Sequence, residues 1–575
     1  MAKGLSLDEY LEQIQDHINY GRFSEALLNI KKALIYFPTD TKLHINCGNL
    51  QHHLGLLDDA EKSFETARKL FESKEVLNNL GVVYIDKQMY DDAIIYLERS
   101  LNLDNFYPDA LYNLSVCYER KGNYEKTSTY LEKCLNEDID HLKANMLLFK
   151  TCQNICNWKR LNELKIKIEN LNRKGCEHPF LNVSRCDNER TNYDNAIHWH
   201  KLNYQQTMSA QHRKVLKSSN KKSIGFICGE IRNHPTFYLI KNMFQYLDKE
   251  TFNYYFYTYN HDQDYLNYLK NHVSKIVDIN KKSDDQIESM VRGHDLDILI
   301  DLSVHIPHNK MNVVNRKLAR KTISYLGFPG SSGSENYDYI IADRIVIPED
   351  KQNFYTENVL YLPSIYQVND GVKKYSNNKS RKNDYSLPEE KIILSCFNQS
   401  FKIEENLFKC WIEILKRNEN TILWLLEDNA LMKQNIIEYL SEVGLDESRI
   451  IFAQRISREA HIERLRHSDI VLDTMTYNGH TTTTDAIQSG VPVVTISGQH
   501  FASRVSHSIL NSVGLNELVT YNLKDYTEKI HLLINDTEYR LALCKRLKNE
   551  QAIESFYDLK KFTKDFENAI ASVMN

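Results

Sequence analysis

Aromatic or large apolar residues recur at Phe23, Leu57, Tyr90, Tyr124 and Trp158, at intervals of 34, 33, 34 and 34 residues. Three residues after the first four of them stand Ala26, Ala60, Ala93 and Thr127, and small residues return at Ala33, Ala67, Ser100 and Cys134. Gly21, Gly55, Gln88 and Gly122 keep the same register two residues before the large one. So many offsets repeating together leave few folds open. Small residues let two helices approach closely and large ones fill the gap between them, so each period folds as a helix pair and successive pairs stack. Four full repeats and a degenerate fifth run from about Leu7 to about Leu171.

This is the tetratricopeptide period, and an α-solenoid of such pairs has a concave groove. The groove is expected to bind a protein or peptide as partner or substrate; the plainer alternative is that the repeats brace the next domain or form a homodimer. Asn46, Asn79 and Asn113 lie in register on successive first helices. An amide donates and accepts at once, so an asparagine ladder can hold an extended peptide backbone. Asparagine is also simply frequent in this chain.

At 575 residues the chain is too long for one core. We divide it into a repeat array (1–171), a helical connector (172–221), two α/β halves (222–374 and 389–575, the second ending in helices) and a linker between them (375–388). A net charge of −5 gives no electrostatic case for nucleic acid or an anionic membrane. The eleven cysteines form no CxxC pair, which points to free thiols in a reducing compartment and away from zinc. The first residues carry no apolar signal core and no run is long enough to span a bilayer, so the expected location is cytoplasmic.

From about Lys222 the pattern changes. Apolar runs at 223–228, 254–259, 296–302 and 322–326 read as strands separated by helical stretches, which implies a doubly wound parallel sheet. After a polar stretch around Tyr375–Asp384 the pattern restarts, with strands at 391–396, 421–426, 449–452, 470–472 and 493–496. Two Rossmann-like halves leave a cleft at their strand ends, where ligands bind. Neither GxGxxG nor GxxxxGK[ST] occurs, which argues against dinucleotide enzymes and P-loop phosphotransferases.

Three strand-end segments of the second half carry donors. Phe397-Asn398-Gln399-Ser400-Phe401-Lys402 offers Gln399 and Lys402 to a diphosphate, and a lysine there stabilises charge on a leaving nucleoside diphosphate. Ile456–Arg464 holds Arg458, His461 and Arg464, suited to a ribose, a stacked base and a base edge. Tyr477-Asn478-Gly479-His480-Thr481-Thr482-Thr483-Thr484-Asp485 reads as a hydroxyl-rich turn into a helix start, where unpaired N–H groups and the dipole favour phosphate. Each taken alone fits a capped helix with surface charges; together they describe one nucleotide-shaped pocket. In the first half, Glu230 and His234 are acid/base candidates, and Gly327-Phe328-Pro329-Gly330 is a loop that lets backbone approach a ligand. Asp295-Leu296-Asp297 has a metal-binding spacing but opens its strand at the end away from the cleft, so no metal is expected there.

The ordered set of Asn233-His234-Pro235-Thr236, Gly327–Gly333, Phe397–Lys402, Asn478–Thr482, Gly490–Thr495 and Ala502–Val505 resembles the O-GlcNAc transferase family over nearly the whole chain. The resemblance implies a GT-B-like core and an inverting, metal-independent transfer of a sugar from a nucleotide donor to protein Ser or Thr, with no cofactor. It places Lys402 and Gln399 on the diphosphate with Thr481 and Thr482, and His461 on uracil with Arg464 at the base. Arg458, usually lysine in the animal enzymes, falls near the ribose that Asp485 anchors, and His480 beside the diphosphate and sugar. Glu230 stands where the family has an aspartate proposed as base or proton relay, and His234 matches a histidine important for activity. Gly327, Pro329 and Gly330 line the sugar site; Ile456 and Asn478 complete the donor-binding set.

The departures concern the sugar. Only a short linker stands where the animal enzymes carry a large insert, and His178-Pro179-Phe180 puts phenylalanine where they have a histidine near the donor sugar. Tyr477 and Thr483-Thr484 are more similar to Spindly-type protein O-fucosyltransferases, which lack the histidine that His480 supplies. The leading expectation is transfer of N-acetylglucosamine from UDP-GlcNAc; His461, Arg464 and His480 favour UDP over GDP. The alternatives are transfer of fucose from GDP-fucose, transfer of glucose from UDP-glucose to Asn, and a noncatalytic scaffold, against which the intact Lys402 and Thr481-Thr482 argue.

Overall fold

A computed structural model describes residues 5–173, 176–204, 221–371, 380–549 and 554–574. Outside the described residues lie 375–379 of the expected linker, 372–374 of the first half, and 174–175 and 205–220 of the connector. The chain divides into two units, Met1–Thr151 and Cys152–Asn575.

In the first unit, helices Leu7–Asn19 and Phe23–Tyr36, Thr41–His53 and Leu57–Leu70, Lys74–Asp86 and Tyr90–Leu103, and Pro108–Arg120 and Tyr124–Glu137 form four successive pairs. Each second helix opens on the residue that sets the period. The small residues of the register, from Ala26 to Cys134, are fully buried. A methyl group on Gly48 would lie 2.7 Å from the Phe64 ring, and one on Gly81 2.6 Å from Leu97, so these helices touch only because the side chain is missing. Gly21, Gly55, Gln88 and Gly122 take φ of 69°, 74°, 61° and 71°. The turn inside every pair needs a left-handed residue, which is why three of the four are glycine. The in-register asparagines are half-buried; Asn79 donates to Asn49 at 3.3 Å and Asn113 to Asn78 at 2.8 Å.

The second unit holds two parallel sheets. Strands β1 (Lys222–Cys228), β2 (Phe252–Thr258), β3 (Lys275–Asp278), β4 (Ile298–Asp301), β5 (Lys321–Ser324), β6 (Tyr339–Ala342) and β7 (Asn358–Tyr361) pair in the order β3-β2-β1-β4-β5-β6-β7. Strands β8 (Ile392–Cys396), β9 (Thr421–Leu426), β10 (Ile450–Ala453), β11 (Ile470–Leu472), β12 (Val493–Ile496) and β13 (Val519–Thr520) pair as β10-β9-β8-β11-β12-β13. All nine expected strands are present. The four added strands are short: β3 buries one residue of its four and β13 has only two residues. Strand order reverses between β1 and β4 and between β8 and β11, so each half opens a crevice at the carboxyl ends of those strands.

Helix Trp158–Arg173, the second helix of the degenerate repeat, belongs to this unit: the Trp158 indole donates to the Ile403 carbonyl at 3.0 Å and packs on Phe408 and Tyr439. The expected end of the array near Leu171 thus lies past the division at Thr151. Buried polar contacts lock the two halves. Arg504 pairs with Glu189 of the connector helix Glu189–Asn203 at 2.7 Å and donates to the Val346 carbonyl at 2.9 Å. Tyr355 donates to the same Glu189, and Ser508 to Asp343 at 2.6 Å. The C-terminal helix Leu559–Ala571 returns to the first sheet, where Phe566 packs on Phe226 and Tyr325 and Glu567 accepts from Tyr254 at 2.6 Å.

Candidate functional site

The turn after β8 and the turn after β11 meet at a lysine. Ser400 hydrogen-bonds Asp428 through its backbone N–H and its hydroxyl, which fixes the short helical turn Ser400–Lys402. Lys402 Nζ donates to the Asn478 carbonyl at 2.9 Å and lies 4.3 Å from the centre of the Tyr477 ring. Cation–π attraction and one hydrogen bond hold the ammonium in place. Burial pushes it down to about 8, against the pull of Asp473. Buried Asp473 in turn accepts from Gly479 N–H at 2.6 Å, Thr495 at 2.6 Å and Asn398 at 3.1 Å, so one carboxylate ties together the β8 turn, the β11 turn and β12. A methyl group on Gly479 would lie 2.5 Å from the Thr482 hydroxyl; only glycine lets the chain turn into the helix Thr481–Gln488 here.

That helix starts beside Lys402. His480 is its cap residue but makes no side-chain cap, and Thr481 and Thr482 are half-buried. Thr482 also donates to Asn398. Thr483 meets Ser506, and Thr484 accepts from Gln367 of the first half at 2.8 Å; these two threonines pack rather than face outward. His480 stacks on Tyr477 with ring centres 4.9 Å apart. Burial, with Lys402 adding to it, holds its imidazole far below the usual range, hence neutral. Asn478, expected to bind the donor, is fully buried; its side chain bonds the Thr474 carbonyl and the Ser506 N–H, and its own carbonyl orients Lys402. Gln399 is exposed.

After β10, Ser457 caps helix Arg458–Leu465. Burial pushes His461 down to about 3, so its ring is neutral, and it meets Phe397 edge-on. Arg464, expected at the base edge, is buried instead behind that ring. Its Nε donates to His461 Nδ1 at 3.1 Å and its guanidinium lies 4.5 Å from the Phe397 ring centre, which sets the tautomer and tilt of His461. Arg458 is clasped between Asp485 at 2.8 Å and Asp370 at 2.6 Å. Ile456 is 42% exposed, open to a ligand. A water-sized cavity of about 10 Å³ lies between His461, Asn398, Asp473 and Thr482.

In the first half, Glu230 sits buried after β1, with Arg232 Nε 2.7 Å and His234 Nε2 4.0 Å from its carboxylate. His234 Nδ1 accepts from the Thr236 N–H at 3.3 Å, capping helix Pro235–Ile240. That bond leaves the neutral ring's proton on Nε2, facing Glu230. Burial lowers the His234 pKa. After β5, a methyl group on Gly327 would collide with the Leu302 carbonyl at 2.0 Å, so this loop and the one after β4 are in backbone contact. Pro329 is buried and Gly330 half-buried, while Ser331 and Ser332 are anchored on Glu357 at 2.7 Å. Phe180 of the connector packs 6.0 Å from both Phe401 and Tyr477, so an aromatic wall flanks Lys402. Asp295 and Asp297 pair with Arg320 before β4.

The structure thus brings Lys402, His480, Thr481 and Thr482 together, and Arg458 with Asp485; the bonds of Glu230 and His234 stay within the first half. Sequence reasoning missed Asn398 and Asp473, which lie inside or beside the quoted motifs, and Asp370, which no local pattern marks.

Residues 192–382 and 376–566, well over half of the chain, match the model of glycosyl transferase family 41. Residues 86–160 match that of anaphase-promoting complex, cyclosome, subunit 3. An Arabidopsis thaliana protein described as a probable UDP-N-acetylglucosamine–peptide N-acetylglucosaminyltransferase, SEC, is 30% identical over 361 residues, 61% of this chain and 37% of its own length. A Caenorhabditis elegans UDP-N-acetylglucosamine–peptide N-acetylglucosaminyltransferase is 33% identical over 189 residues, 33% of this chain and 16% of its own. An Eustoma exaltatum subsp. russellianum protein described as a probable enzyme of the same name, SPINDLY, is 27% identical over 290 residues, 49% of this chain and 31% of its own. This chain therefore spans well under half the length of these relatives. Among solved structures, a mutant of the Thermobaculum terrenum O-GlcNAc transferase superposes with a TM-score of 0.67 at 21% identity, covering 93% of this chain and 97% of that one. That likeness bears on the fold.

Proposed function

Since the chain belongs to glycosyl transferase family 41, we propose that it is an inverting protein O-glycosyltransferase that moves N-acetylglucosamine from UDP-GlcNAc to Ser or Thr of a protein acceptor. The observation that carries this reading is the placement of Lys402 Nζ beside the start of the helix Thr481–Gln488. A fixed cation and unpaired N–H groups at one point are what a departing diphosphate needs. The acceptor hydroxyl oxygen attacks the anomeric carbon, and the bond to the diphosphate oxygen breaks on the opposite face. Charge builds on the diphosphate, and Lys402, Thr481 and Thr482 receive it. The hydroxyl proton passes to Glu230, to a donor phosphate oxygen or along water. Arg232 orients the Glu230 carboxylate, and His234, with its proton on Nε2 4.0 Å away, stands beside it as a donor rather than as the base itself. The positive charge beside the diphosphate comes from the protein, which fits a metal-independent reaction. The repeat groove is the proposed seat of the acceptor, and the compartment is proposed to be the cytoplasm; no helix among the described residues is long and apolar enough to cross a membrane.

A second reading keeps sugar transfer to a protein and changes the donor, to GDP-fucose with Ser or Thr as acceptor or to UDP-glucose with Asn. The wall of Phe180, Phe401 and Tyr477 beside Lys402 presents ring faces and edges, which suits a less substituted sugar such as fucose or glucose. Intact-mass analysis of acceptor proteins after incubation with UDP-GlcNAc, UDP-glucose and GDP-fucose separates the readings. An N-acetylhexosamine increment is expected; a hexose or deoxyhexose increment would select the second, and no increment with any donor would end both.

The lysine also gives a pH dependence. Free Lys402 is charged below about 8 and neutral above it, and only the charged form draws in the diphosphate. At subsaturating donor, kcat/KM is expected to fall tenfold per pH unit above that value. At saturating donor the limb moves to higher pH, because the bound diphosphate keeps the proton on. A subsaturating profile that stays flat well above pH 8 would remove Lys402 from the free-enzyme binding step.

A further inference from the structure

Arg458 is gripped by groups from both α/β halves. From the second half, Asp485 Oδ1 accepts from Arg458 Nε and Nη2, at 3.2 and 2.8 Å. From the end of the first half, Asp370 Oδ2 accepts from Nη1 at 2.6 Å, while Asp370 Oδ1 accepts from Gln488 at 2.6 Å. The first half reaches Arg458 a second time through Tyr238, whose ring centre lies 5.3 Å from the guanidinium carbon. Tyr238 sits on helix Pro235–Ile240, the helix that His234 caps. Asp370 is itself fixed, its carbonyl accepting from Asn242 at 2.7 Å. The three charged side chains are 3 to 11% exposed.

One guanidinium between two buried carboxylates is not the arrangement that a donor-binding half alone would build. Arg458 bridges one carboxylate from each half in a region shielded from water, where such pairing acts strongly. Both bonds to Asp485 fall on Oδ1, and Oδ2 takes no part in them. A carboxylate pinned by one oxygen has a fixed orientation for the other, and a vicinal diol is the ligand group that uses it.

Resting on the donor reading above, we infer that Asp370 and Tyr238 are positioning residues of the ribose site: through Arg458 they orient Asp485 toward the ribose hydroxyls of the nucleotide. The nucleoside end of the cleft is therefore completed by the first half. Ribose is common to UDP and GDP, so the inference does not depend on the base.

The test uses the full chain, with UDP and GDP titrated by calorimetry and donor KM and kcat measured in parallel. Asp370→Asn and Tyr238→Leu are each expected to raise the nucleotide Kd and donor KM about tenfold, with kcat within about twofold. Tyr238→Phe, which keeps the ring, should recover most of the loss in Tyr238→Leu, whereas a hydroxyl-dependent role would not be rescued. Variants that bind nucleotide like the wild type, whether or not their thermal midpoints fall, would overturn the positioning role while leaving the donor reading intact. Wild-type protein that binds neither nucleotide would remove the donor reading itself, and this site with it.

Discussion

Lys402→Met is expected to lower the rate of glycosyl transfer by about a thousandfold while UDP binding weakens far less. Methionine fills most of the space over Tyr477 and Phe401, so the variant removes the charge and the bond to the Asn478 carbonyl with little loss of packing. The asymmetry follows from when the charge is needed. On the proposed donor binding, the diphosphate is shared among Lys402, the helix start and hydroxyl groups. As the anomeric bond breaks, another unit of charge builds on the oxygen nearest the lysine, and only the transition state feels that part. Initial rates at saturating donor, set against calorimetric UDP affinity, separate the two. A rate within tenfold of the wild type would take the leaving-group role away from Lys402.

Arg504→Ala is expected to destabilise the α/β unit by about 3–5 kcal/mol, the cost of leaving a buried charge unpaired. Glu189, 6% exposed at its side chain, would keep only the Tyr355 hydroxyl, while the Val346 carbonyl would lose its donor. Burial already pushes the Glu189 carboxyl up against the pull of Arg504, so removing the arginine favours its protonation. Adding Glu189→Gln should recover a large part of the loss, because the remaining group is then neutral. All four tryptophans, Trp158, Trp199, Trp411 and Trp424, lie in the α/β unit, so their fluorescence during urea unfolding reports on that unit alone. A midpoint unchanged from the wild type would show that Arg504 does not hold the halves together.

What the sequence made legible was set by range along the chain. The repeats were readable because each period restates the same contacts locally, down to the left-handed turn that glycine marks. The nine expected strands were readable as apolar runs; β3, with one buried residue in four, is not such a run. The grouping of Lys402, His480 and the threonines was readable because they sit directly after strand ends. Asn478 and Arg464 show the limit of that reading. Each stands in the right segment, but its side chain turns inward to support a neighbour, and a motif does not reveal which way a residue points. Asp370 and Tyr238 were beyond reach because they meet Arg458 from 88 positions away or more in sequence.

The helix Leu559–Ala571 has a consequence for how the protein is made. Phe566 and Glu567 complete the first sheet, and the Tyr254 hydroxyl that Glu567 receives lies 313 positions earlier. At roughly 5–20 residues per second on the ribosome, about 15 to 60 s pass between the synthesis of Tyr254 and that of Glu567. Over that interval the second half can assemble around a neighbour whose Phe226 face is still bare. The first sheet thus waits for a cover supplied from 313 positions later in the chain.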